Sequence, residues 1–167
     1  MKRVLVLDSS AIMNGYNPLL VTNYRQIITV DALNEILKDE ERSLVEYAIE
    51  IKRLEKAAPK PATIMKVEEV ARKTNDRKYL SNSDISTLAL ALDLIEEGCK
   101  PVVLTDDFSM QNVAKVLGIE YAPIATQGIR RVINWKLYCP ACGRKYNNEN
   151  VNECKICGTK LKRKPKL

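Results

Sequence analysis

Two short cysteine motifs constrain this chain more than any other feature. Cys139-Pro-Ala-Cys142-Gly143 and Cys154-Lys-Ile-Cys157-Gly158 are separated by eleven residues. Each CxxC pair makes a tight turn that aims two thiolates at one point, and the glycine after it permits the backbone geometry. Four thiolates suit tetrahedral Zn²⁺ and fill its coordination shell, so one such ion is structural. A module this short buries little apolar surface on its own. Structural zinc supplies on the order of 10–16 kcal/mol in comparable peptides, enough to organise it. Disulfides, an iron–sulfur centre and a redox CxxC are the competing readings, and paired knuckles with trailing glycines favour zinc over all three. The fifth cysteine, Cys99, sits in an apolar setting and reads as an inert packed thiol.

With 167 residues the chain has room for one ordinary domain plus that module. It contains no histidine. A histidine general base, a Ser-His-Asp triad and a Cys₂His₂ finger are therefore excluded. Acid–base chemistry falls to carboxylates, Lys, Tyr, Cys or a metal-bound water. No run is long and apolar enough to span a bilayer. The start Met1-Lys2-Arg3, followed by Val4–Leu7, has the beginnings of a signal peptide, but Asp8 ends it after four apolar residues. The expectation is a cytoplasmic protein with no membrane partner, whose cysteines are ligands and not disulfides.

Charge is unevenly placed. Residues 131–167 hold ten Lys/Arg and two Asp/Glu, net +8, whereas residues 1–130 are net −2. A small basic module on a slightly acidic domain points to a polyanion, most often nucleic acid. Arg130, Arg131, Lys136, Arg144, Lys145 and Lys155 are the candidate contacts. Trp135, Tyr138 and Tyr146 either stack on unpaired bases or form the module's small core. The terminal Lys160, Lys162, Arg163, Lys164 and Lys166 read equally well as a solubilising tail.

The first 125 residues alternate between two periodicities. Arg3–Leu7 and Pro101–Thr105 are short apolar runs that predict buried strands, Gln26–Val30 is a candidate strand, and Ile119–Ala122 a short last one. Helical patterns cover Asp31–Lys38 with Asp31 as cap, Arg42–Lys56, Ile64–Lys73, Ile85–Glu97 and Ser109–Leu117. Pro59 and Pro61 break the pattern, and Thr74–Leu80 reads as a polar loop. Strands alternating with helices predict an α/β domain with a mostly parallel sheet, whose ligands bind at the carboxyl ends of the strands.

Asp8, Asp106 and Asp107 follow predicted strands, Asp84 lies in the first turn of a helix, and Glu35 lies within one. Singly, each has a plain structural explanation: a turn for Asp8, helix caps for Asp84 and Asp106, a solvent-facing position for Glu35. Together they form a cluster of carboxylates if the strands are adjacent. Two such charges ~4 Å apart repel by roughly 4 kcal/mol at an effective dielectric near 20. Hard oxygen ligands without histidine suit Mg²⁺ or Mn²⁺. Such a site can activate water and neutralise the charge that develops on a phosphodiester.

The strings Val-Leu-Val-Leu-Asp8-Ser-Ser, the Glu35 helix, Leu80-Ser-Asn-Ser-Asp84 and Val-Val-Leu-Thr-Asp106-Asp107 resemble, in order and spacing, the acidic motifs of PIN-domain nucleases. A PIN domain followed by a four-cysteine ribbon is similar to the Nob-one family of archaeal type, and Thr105-Asp-Asp-Phe-Ser-Met-Gln-Asn112 is similar to it in detail. The resemblance implies a PIN-like domain over 1–125, with a mostly parallel central sheet flanked by helices. It further implies a linker over 126–134, a zinc ribbon over 135–160 and a basic tail over 161–167. The implied activity is a metal-dependent endoribonuclease maturing the 3′ end of small-subunit ribosomal RNA, with that RNA and the pre-ribosomal small subunit as partners. By carry-over, Asp8, Glu35, Asp84 and one of Asp106 and Asp107 hold the ion. The strand-end position selects Asp106, while the Thr-x-Asp pattern of many PIN domains selects Asp107. Both are kept, with Asp106 preferred. Ser9, Ser10 and Thr105 orient carboxylates or water. The rival readings are a toxin-like PIN ribonuclease acting on another RNA, which the ribbon argues against, and a non-catalytic RNA-binding assembly factor.

Overall fold

The computed structural model describes residues 2–125, 135–147 and 151–165. The proposed linker 126–134, and with it Arg130 and Arg131, lies outside the described residues.

Five strands, β1 (Arg3–Leu7), β2 (Arg25–Thr29), β3 (Glu55–Ala57), β4 (Lys100–Leu104) and β5 (Glu120–Ala122), form one sheet in the order β3-β2-β1-β4-β5. Every pairing is parallel. The helices are α1 (Ser9–Met13), α2 (Val30–Glu35), α3 (Asp39–Glu50), α4 (Pro61–Lys73), α5 (Asn82–Glu96) and α6 (Phe108–Val116), with a 3₁₀ turn at Arg77–Tyr79.

Alternation along the strands divides the core in two. Val4, Val6, Ile27 and Val103 face one layer with Val67, Leu88 and Val113 from α4, α5 and α6. Leu7, Ile28 and Leu104 face the other, with Ile12, Leu33 and Val45 from α1, α2 and α3. Both faces of the sheet are covered, which is why β1 and β4 read as continuous apolar runs. The chain enters the sheet at its centre and β4 pairs on the other side of β1 from β2. Their carboxyl ends therefore meet at the point where strand order reverses, the usual ligand crevice of such sheets.

Several local expectations change. The cap of α2 is Thr29, two residues before the expected Asp31, its hydroxyl accepting from the Ala32 N–H, and the helix ends at Glu35, short of the expected Lys38. Asp31 is exposed in its first turn. The helix expected over Arg42–Lys56 stops at Glu50. Lys52 then takes a positive φ of 60°, and the chain turns into β3, an edge strand too short and too charged to announce itself. Pro61 opens α4 at its first turn, where a missing N–H costs nothing.

The C-terminal module is a three-stranded antiparallel sheet of β6 (Trp135–Tyr138), β7 (Lys145–Tyr146) and β8 (Lys162–Pro165), in the order β7-β6-β8. The segment expected as a basic tail thus supplies β8, paired with β6 from Trp135 to Tyr138. Its lysines are tolerable there because β8 is an edge strand, where charge discourages further pairing.

Candidate active site

Asp8 stands immediately after β1 and caps α1. Its Oδ1 accepts from the Ser9 N–H at 2.8 Å, and its Oδ2 accepts from Ser10 Oγ at 2.5 Å and Thr105 Oγ1 at 3.0 Å. The side chain is buried. Burial pushes its pKa above the ordinary carboxylate value, although those hydrogen bonds pull the other way.

Asp84 lies in the first turn of α5, where it completes a capping box. Its Oδ2 accepts from the Ser81 N–H at 2.7 Å while Ser81 Oγ accepts from the Asp84 N–H at 3.1 Å. Its pKa is pushed up to about 7, first by burial and then by the charges of Asp8 and Asp107. The capping explanation and the cluster explanation therefore both hold for the same side chain.

Glu35 is the last residue of α2. Its Oε2 accepts from Ser9 Oγ at 2.9 Å, which ties the exposed carboxylate to the α1 turn beside Asp8.

Asp106 and Asp107 separate clearly. Past β4, Thr105 points to Asp8 while Asp106 turns to Asn14 and the loop after β5. Asp106 Oδ2 accepts from Asn14 Nδ2 at 2.8 Å, and its Oδ1 accepts from the N–H groups of Ile124 and Ala125 at 2.9 Å. Asp107 caps α6, its Oδ1 accepting from the Ser109 and Met110 N–H groups at 2.7 and 2.9 Å. Asp107 is also the member of the pair whose charge acts on Asp84. The helix cap expected at Asp106 is therefore Asp107, while Asp106 fastens the loop after β5. Asn14, which sequence reasoning passed over, is the partner that holds Asp106 aside.

Among the described residues, no Lys or Arg makes an ion pair with Asp8, Glu35, Asp84 or Asp107. Ser9 instead joins Asp8 to Glu35 and Thr105 joins Asp8 to Asp107, while Asp84 is held by Ser81. Oxygen donors without histidine are the type that a hard divalent cation takes, but among the described residues only the four cysteines bring three or more ligand atoms close enough to share one ion.

In the ribbon the four sulfurs of Cys139, Cys142, Cys154 and Cys157 all lie within 4.8 Å of one another. Cys139 and Cys157 sulfurs are 3.4 Å apart, and those of Cys142 and Cys154 3.5 Å. A Zn–S tetrahedron has edges of about 3.8 Å. The set therefore fits one zinc ion. Gly143 and Gly158 take φ of 72° and 70°, and their N–H groups close each knuckle on the carbonyls of Cys139 and Cys154. Tyr146 Oη donates to Cys154 Sγ at 3.1 Å, and this bond pulls the thiol down to about 5. Tyr146 also packs against Leu137, Leu161 and the buried cysteines, so it belongs to the ribbon's core. Arg144, Lys145 and Lys155 are exposed and Lys136 is half-buried.

Residues 5–94 match the family described as the PIN domain of ribonuclease. The chain is 39% identical over 163 residues to a protein of Methanocaldococcus jannaschii named Endoribonuclease Nob1, covering 97% of this chain and 78% of that one. It is 38% identical to the Endoribonuclease Nob1 of Archaeoglobus fulgidus, over 93% and 87% of the two chains. It is also 31% identical over 160 residues to the Ribonuclease VapC1 of Thermoplasma acidophilum, covering 96% and 77%. By its matched ribonuclease domain and its likeness to the archaeal proteins from end to end, the chain belongs to the PIN-domain endoribonuclease family that includes Nob1.

Proposed function

We propose that this protein is a metal-dependent endoribonuclease that matures the 3′ end of small-subunit ribosomal RNA, acting in the cytoplasm on the precursor within the pre-ribosomal small subunit. The observation that carries the reading is the cluster of carboxylates from four elements at the carboxyl edge of the sheet, with Asp84 held at about 7 by burial and by Asp8 and Asp107.

Asp8, Glu35, Asp84 and Asp107 would hold Mg²⁺ or Mn²⁺. A divalent ion there supplies Lewis acidity toward water and the phosphoryl oxygens. The chain's own part is orientation. Ser10 and Thr105 fix Asp8, Ser9 fixes Glu35, and the capping bonds fix Asp84 and Asp107, so four carboxylates are prearranged before the RNA arrives. Lys136, Arg144, Lys145 and Lys155, with Arg130 and Arg131, contact RNA phosphates and place the scissile bond. The four cysteines hold one structural zinc.

The test is cleavage of RNA spanning the 3′ end of the small-subunit rRNA precursor by purified protein with a panel of divalent ions. Asp8→Asn and Asp84→Asn should each abolish cleavage and leave RNA affinity unchanged or higher. Absence of cleavage under every ion condition overturns the enzyme reading and leaves an RNA-binding assembly factor. The likeness to a protein named VapC1 supports a second reading, a ribonuclease acting on another RNA. Equal cleavage of an unrelated structured RNA would favour it.

A further inference from the structure

The ribbon and the α/β domain meet at one arginine. Arg163 Nη1 donates to Asp76 Oδ1 at 3.1 Å and its Nη2 to Ser109 Oγ at 3.1 Å. Its guanidinium lies between two aromatic rings, 3.6 Å from the Tyr79 centroid and 4.2 Å from that of Trp135. Asp76 is 0% exposed, and its other oxygen accepts from Asn112 Nδ2 at 2.6 Å. Beside it, Asn75 sits in the left-handed region at φ 63° and donates from Nδ2 to the Trp135 carbonyl at 2.8 Å. Three pieces of chain therefore converge: the turn after α4, the buried side of α6, and the ribbon strands β6 and β8.

We propose that Arg163 is a positioning residue, an interdomain clasp that fixes where the ribbon presents RNA to the carboxylate cluster. A buried carboxylate needs a cation, and the α/β domain supplies none to Asp76 among its described residues. The cation comes from the ribbon, so undocking leaves Asp76 uncompensated. A planar guanidinium suits the slot because it can stack on two rings while it donates to two acceptors, which an ammonium cannot do. Modules joined by a linker move relative to one another unless such an interface holds them. The clasp also reaches the catalytic side: Ser109, which receives Arg163, gives its backbone N–H to Asp107. Two acceptors and two rings already engage the Arg163 guanidinium, so its part is docking and not phosphate contact. The claim about cleavage rests on the function proposed above, while the claim about docking does not.

Two measurements separate them. Backbone ¹⁵N relaxation on the zinc-loaded full chain should give one rotational correlation time for both modules in the wild type. In Arg163→Ala it should give two, the ribbon's being shorter, with one zinc per chain retained. Single-turnover cleavage should fall on the order of tenfold or more and the cut sites should spread, while RNA affinity changes by less than about threefold. Arg163→Lys keeps the charge without the fork and should recover part of the rate. If Arg163→Ala does not fold, Asp76→Asn with Arg163→Met removes both charges and serves in its place. Joint tumbling of the modules in these variants overturns the clasp. Separate tumbling with unchanged rate and cut sites overturns the positioning role. A wild type that cuts no RNA defeats the proposed function, and the relaxation data still decide the docking.

Discussion

Thr105 Oγ1 donates to Asp8 Oδ2 at 3.0 Å and so joins residues 97 positions apart at the ends of two paired strands. The same hydroxyl accepts from the Asp107 N–H at 3.1 Å. One buried side chain thereby ties Asp8 to the backbone of Asp107.

Thr105→Val keeps the shape and removes both bonds. It should cost on the order of 1–3 kcal/mol in denaturant unfolding, because Asp8 and the Asp107 N–H lose a buried partner. Divalent-ion affinity, read by calorimetry, should fall about 10–100-fold. A variant as stable and as tight-binding as wild type would remove Thr105 from the site.

Asp106 and Asp107 can be told apart by paired substitution. Asp107→Asn should lower the cleavage rate roughly a hundredfold or more. Asp106→Asn should leave the rate within about tenfold of wild type and cost about 1 kcal/mol of stability, through weaker bonds to Asn14 and residues 124 and 125. The opposite ranking of cleavage rates returns the ligand role to Asp106.

The raised pKa of Asp84 has a stability consequence with a definite sign. A carboxyl whose folded pKa lies above its unfolded value favours the folded state only while protonated. Ion-free protein should therefore lose stability as pH rises from about 4 through about 7. Asp84→Asn lacks that charge and keeps a capping acceptor. At about pH 8 without divalent ions it should be the more stable protein by on the order of 1 kcal/mol, a figure reduced for solvent screening. The two should converge near pH 4, and Mn²⁺ should stabilise wild type alone. Parallel stability curves across this range would show that Asp84 bears no such load.

Zinc removal should act on the ribbon first. Cys142→Ser, or chelation, should release about one zinc per chain and unfold residues 135–165, followed by near-ultraviolet circular dichroism of Trp135. Far-ultraviolet signal from the α/β domain should largely persist. Metal analysis that finds iron, or none, refutes the zinc assignment.

The sequence by itself determined the alternation of strands and helices, the two cysteine knuckles and the acidic positions, because each is written in local period or spacing. Strands β1 and β4 were legible because they are buried on both faces and read as unbroken apolar runs. Strand β3 was not, since Glu55 and Lys56 sit on an exposed edge and carry no apolar pattern. The buried Asp76 stood in what reads as a polar loop, and Arg163 in what reads as a tail. Tertiary structure alone decided that these two meet, since their pairing depends on a contact 87 residues apart in the chain. It alone turned Asp106 toward Asn14 and made Asp107 the cap of α6. Neighbours in sequence share composition, but only the packed sheet says which partners each side chain meets.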